Sequence, residues 1–184
     1  MPLTTYTVGE VLTASSLNAN LSFASTNGGL VRVGGGALSG SSTTFSSVFS
    51  STYDAYKIVV SNGANSGTSY VLMTFGATAT GYITACNATT VSTSAYPNAF
   101  STITTGAQVA YVTSTDFSVD ATVVNPNLAK KTFYTATGSL INGTTEVGTA
   151  VGFLNNSTVY TAFTLAVTSG TLSGTCNIYG YSLS

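Results

Sequence analysis

Charge is the scarcest commodity in this chain. Of 184 residues only nine are formally charged, four basic against five acidic, which leaves a net charge of −1. Neutralising a phosphate backbone takes a surface of Lys and Arg, so nucleic-acid binding is excluded as a function. There is no His and no Trp. The commonest general base and the commonest transition-metal ligand are therefore absent together. No apolar run approaches the roughly 18 residues of a membrane span, so no membrane insertion is expected. The first residues, Met1-Pro2-Leu3-Thr4-Thr5-Tyr6, offer neither a basic nor an apolar signal region, and no signal peptide is predicted. The charged fraction of 5% is far below the roughly 25% usual for soluble domains. So lightly charged a surface predicts cover by further copies of the chain or by a partner.

What the chain has instead is hydroxyl: 25 Ser and 34 Thr, nearly a third of all residues. Thr keeps the β-branching that suits a strand while remaining polar, so sheets with one apolar and one hydroxylic face are expected. Residues 1–28 read as an arm. Within it Thr13 can cap a short helix on which Ala14, Leu17 and Leu21 share a side. So short a helix is unstable alone and needs something to pack on. The Gly triplet at 34–36 reads as a bend between arm and domain, and residues 45–53 as one or two helical turns laying Phe45, Val48 and Phe49 on a core.

From there the pattern becomes that of strands, at 56–60, 70–75, 81–86, 108–113, 117–124, 132–141, 145–154, 158–168 and 172–181. Residues 87–105, poor in large apolar side chains and carrying Pro97, read as a long loop. Asn142-Gly143 predicts a two-residue hairpin turn, and Asn155-Asn156 and Ser169-Gly170 can close the next two hairpins. About nine short strands with almost no helix predict an all-β fold, an antiparallel, jelly-roll-like β-sandwich over residues 29–184.

Candidate chemistry is thin. Asp116 and Asp120 fall about 13 Å apart on an extended strand, too far for a glycosidase pair, and read as solvated turn acids. No calcium loop and no zinc spacing occur, and Cys86 and Cys176 read as free thiols. Lys130-Lys131 reads as a guard on an edge strand. No enzyme activity, cofactor or metal is expected. Of the eleven Tyr and nine Phe most are expected in the core or an interface. The candidates for a receptor-contacting or glycan-binding loop are Tyr96, Asn98 and Phe100.

The string Thr7-Val8-Gly9-Glu10-Val11-Leu12-Thr13-Ala14-Ser15-Ser16-Leu17-Asn18 resembles the opening of many tailed-bacteriophage virion proteins, in which T-x-G-x-x-L-T-A-x-x-(L/V)-N precedes a fibre or appendage domain. Residues 45–58 and the closing Asn177-Ile178-Tyr179-Gly180-Tyr181 are similar to strings in small phage structural proteins. The resemblance implies a virion protein assembled in host cytoplasm, a trimeric tail fibre or receptor-binding knob. Its alternatives are a capsid decoration (cement) protein and a glycan-binding, lectin-like module. The implied particle-attachment residues are Val8, Val11, Leu12, Ala14, Leu17 and Leu21. The implied partners are further copies of the chain, a trimer being favoured, other virion proteins and a host-surface glycan.

Overall fold

The computed structural model describes residues 8–9, 13–26, 29–90, 98–101, 103–113, 116–139 and 146–181. One helix, α1 (Ala14–Thr26), leads into β1 (Leu30–Leu38), β2 (Ser42–Phe45), β3 (Ala55–Asn65), β4 (Thr68–Phe75), β5 (Tyr82–Thr90) and β6 (Asn98–Ser101). Then follow β7 (Ala107–Thr113), β8 (Asp116–Val124), β9 (Thr132–Ser139), β10 (Glu146–Leu154), β11 (Phe163–Val167) and β12 (Leu172–Tyr181).

The strands form two antiparallel sheets, ordered β1-β12-β3-β8-β9-β10-β5-β6 and β2-β11-β4-β7. Without β5, β6, β9 and β10 the order is β1-β12-β3-β8 over β2-β11-β4-β7, a jelly roll. Two inserted hairpins, β5–β6 and β9–β10, then widen only the first sheet, past β8. The all-β sandwich expected from the sequence is the observed fold.

Most strands bury alternate residues, as on β8, where Phe117, Val119, Ala121 and Val123 are buried between exposed or partly exposed neighbours. The centre of the sandwich is aromatic. Phe49 meets Tyr56 edge-on at 4.8 Å and stacks on Phe163 at 5.6 Å, while Phe75 stacks on Tyr82 at 6.2 Å. The buried tyrosines use their hydroxyls to hold loops. Tyr56 accepts from the Ser50 amide at 2.7 Å and donates to the Ser50 carbonyl at 2.9 Å. Tyr82 accepts from the Phe75 amide at 2.7 Å and donates to the Thr78 carbonyl at 3.1 Å.

Several expected elements differ. The glycines at 34–36 make no bend; β1 runs through them with a bulge between Arg32 and Gly34. A side chain at Gly34 would come 2.7 Å from Val48 Cγ1, and Gly35 has φ 137°, so the glycines serve close approach and a bulge. Residues 45–53 are not helical: Phe45 ends β2 and Ser47 has φ 56°. The Val48 and Phe49 amides both donate to the Thr161 carbonyl, at 2.9 and 3.1 Å, and Phe45, Val48 and Phe49 are buried as expected.

The supposed long loop holds the end of β5 and all of β6. Asn142-Gly143 lies outside the described residues. Its arms, β9 and β10, do pair, with Ser139 opposite Val147. Asn155-Asn156 and Ser169-Gly170 close no hairpin; both lie where the chain crosses between sheets. Lys130 and Lys131 guard no edge, because β9 is flanked by β8 and β10. Cys86 and Cys176 are free thiols on β5 and β12, five strand positions and so roughly 24 Å apart. Burial pushes both thiols up, that of Cys176 to about 12.

Candidate functional site

Cross-strand register sorts the outer face of the eight-stranded sheet into rows. One runs Arg32, Tyr179, Lys57, Thr122, Thr135, Val151 and Ala85, with Phe100 opposite Ala85 in backbone register. A parallel row carries Asn177, Val59, Asp120, Thr137, Thr149, Asn87 and Asn98. At the sheet end where β1 begins, a third row runs through Val124, Phe133, Phe153 and Ile83, and Ala55 pairs with Val124 at its other side.

The charged groups of these rows have partners on this face. Lys57 pairs with Asp120, and Arg32 Nε donates to Asn177 Oδ1 at 3.3 Å. Asp116 and Asp120 are exposed on β8 rather than in a turn.

The inserted strands are different. Ile83, Phe133 and Val151 remain 47–48% exposed, and with Ala85 and Phe153 they line a shallow apolar depression of about 390 Å³. The Phe133 and Phe153 rings lie 5.9 Å apart, and Lys131 Nζ sits 5.0 Å over Phe153 at the margin. The depression has a rigid floor. Tyr134, on the opposite face, crosses Gly152 to bond Thr84 Oγ1 and donates to the Ile83 carbonyl at 3.1 Å. Burial raises the Tyr134 phenol to about 12, the Thr84 bond opposing the shift. A side chain at Gly152 would clash with this ring, so Gly is required there.

Of the residues expected at the attachment site, Val8 is fully exposed and Val11 and Leu12 lie outside the described residues. Ala14 opens α1, and Leu17 and Leu21 on it are 42% and 59% exposed. Thr13 is the cap, accepting from the Ser16 amide at 3.3 Å, and the helix continues five residues past Leu21 to Thr26. Tyr96 lies outside the described residues. Asn98 and Phe100 belong to a strand rather than a loop, opposite Asn87 and Ala85 in register.

Sequence reasoning missed Ile83, Phe133, Val151 and Phe153. The signal was present as apolar doublets, Tyr82-Ile83, Phe133-Tyr134, Ala150-Val151 and Phe153-Leu154, where a strand with one wet face would alternate.

Among the described residues no group of three or more His, Cys, Asp or Glu is placed to hold a metal ion. No helix among them is long and apolar enough to cross a membrane. No family model and no curated protein matches the chain. Among solved structures it is similar to botulinum neurotoxin type C, described as entering cells in dependence on two ganglioside molecules. That likeness has 11% identity and a TM-score of 0.29 over 80% of this chain and 39% of the toxin chain. It is also similar to the Drosophila NLP core, described by pentamer formation and histone binding, with 12% identity and a TM-score of 0.20 over 82% of this chain and 99% of that one. A third likeness, to infectious bursal disease virus Gt strain, has 8% identity and a TM-score of 0.13 over 83% of this chain and 42% of that one. Scores this low carry no argument about fold or function.

Proposed function

We propose that the chain is a non-enzymatic structural subunit of a tailed-bacteriophage particle, a trimeric tail fibre or receptor-binding knob attached through its N-terminal arm. The observation that carries this reading is an arm helix exposing Leu17 and Leu21 ahead of a sandwich that buries its aromatic core without drawing on them. An isolated helix of this length gains its order from packing, and in this reading Leu17 and Leu21 pack on another molecule. The resemblance of residues 7–18 to phage virion openings supplies the kind of particle. A jelly roll with few charges and an apolar outer patch suits a subunit whose faces are covered on assembly.

Labelling intact phage particles with an antibody to the sandwich tests this. Label at the tail tip or fibres is expected. Label spread over the capsid lattice replaces the fibre reading with a decoration protein, and particles without the protein overturn both.

A further inference from the structure

We propose that the apolar end of the outer sheet face receives helix α1 of a second copy of this chain. The proposal rests on the assembly reading above and names the surface through which assembly occurs. Leu17 and Leu21 stand open on α1, and so does the depression around Phe133, Phe153, Ile83 and Val151. Their electrostatics match. The thirteen residues of α1, ASSLNANLSFAST, include no charge, and neither do the residues lining the depression. Lys131, at the rim, carries the sign that suits the C-terminal end of a helix.

The dimensions match as well. A helix of thirteen residues is roughly 20 Å long. The row from Val124 to Ile83 spans three strand spacings, roughly 14 Å. Leu17 and Leu21 are one turn apart, roughly 6 Å along the axis, against 5.9 Å between the Phe133 and Phe153 rings.

The short tether argues for a second copy rather than the chain's own helix. Three residues separate Thr26 from Leu30, so the link spans at most roughly 14 Å, and Leu21 lies roughly 8 Å further along α1. Strand β1 is four positions from β9 and six from β5, roughly 19 and 29 Å. Only with its link at full stretch do Leu21 and Leu17, roughly 22 and 28 Å from Leu30, reach β9 and approach β5 of their own sheet. A neighbour's helix approaches without that tether, and each copy gives one arm and receives one.

The test uses the full chain on a Cys86→Ala background, under oxidation. Mixing a tagged Leu21→Cys chain with an untagged Val151→Cys chain is expected to give the tagged–untagged disulfide, at a yield neither variant reaches alone. Phe153→Ser is expected to weaken self-association about thirtyfold, the loss typical of truncating a buried aromatic anchor, with circular dichroism and melting of the sandwich unchanged. A Leu21→Cys/Val151→Cys chain that closes its disulfide within one monomer overturns the proposal, as does a protein that stays monomeric or associates equally well with Phe153→Ser. Failure here with the protein still found on phage particles leaves the virion reading standing. The cross-link without any particle label has the reverse meaning.

Discussion

Raising the pH reads the buried core of this protein more directly than any single substitution. Tyr134 holds its proton to about 12 against an ordinary 10.0, and Cys176 to about 12 against 9.0, both because burial penalises the charged form. Tyr82 is raised further by the same cause, opposed by its bond from the Phe75 amide. The unfolded chain releases these protons near their ordinary values while the folded chain keeps them. Above pH 9 the unfolded state therefore binds fewer protons, and stability falls as pH rises. The stabilisation is complete below pH 9 and is lost progressively towards pH 12. At pH 11 the loss comes to about 3 kcal/mol from Cys176 and about 1 kcal/mol from each tyrosine, about 5 kcal/mol together. That is a large part of the stability of an ordinary domain. With a urea slope of about 2 kcal/mol/M, the unfolding midpoint is expected to drop by about 2.5 M between pH 8 and pH 11. Cys176→Ala is expected to remove about half of that drop. The assay is urea unfolding followed by far-UV circular dichroism in buffers containing a reductant. A midpoint that stays constant from pH 9 to pH 11, or a Cys176→Ala protein with the wild-type pH slope, would refute the reasoning.

Other perturbations have separate signatures. Gly152→Val drives a side chain into Tyr134 and breaks its tie to Thr84; about 3 kcal/mol of stability should be lost, read as a lowered urea midpoint. Asp120→Asn removes the exposed ion pair with Lys57 and should cost less than about 1 kcal/mol, with the difference vanishing in high salt. Thr13→Ala deletes the cap of α1 and should weaken the helix by about 1 kcal/mol, lowering helical signal while the melting temperature of the sandwich stays fixed.

The class of the fold was legible because alternation survives in most strands. Residues 117–124 read as apolar, polar, apolar, and the strand β8 stands there. The Thr13 cap was equally plain, since a hydroxyl ahead of a helical pattern has one obvious job. What failed were places where a residue's usual habit yields to a neighbour across the fold. Glycines at 34–36 suggest a bend, yet Val48 and the Cys176 backbone press so close to Gly34 and Gly35 that only glycine permits the strand. Phe45, Val48 and Phe49 recur at helical spacing, but a shared acceptor at Thr161 fixes the backbone in another form. Local pattern cannot show that Asn155-Asn156 leads to the other sheet, because sheet membership depends on contacts distant in sequence.

The apolar depression also bears on the kind of assembly to expect. Fully burying an aliphatic or aromatic side chain is worth about 1.5–3 kcal/mol, so completing the burial of the half-exposed Ile83, Phe133 and Val151 and the partly buried Phe153 gives about 4 kcal/mol. Covering Leu17 and Leu21 adds about 2 kcal/mol. One arm-to-sheet contact thus yields about 6 kcal/mol, inside the range of about 4–15 kcal/mol that association costs. A single contact is close to break-even. An open row of copies gains one contact per association event and leaves a bare apolar face at its end, ready to grow. A closed ring of three gains three contacts for two events, about 9 kcal/mol each, and leaves no such face. On the proposed arm-to-sheet contact, closure is what makes so modest a gain sufficient, and a chain with nine charged residues among 184 has little surface repulsion with which to keep an unclosed end soluble.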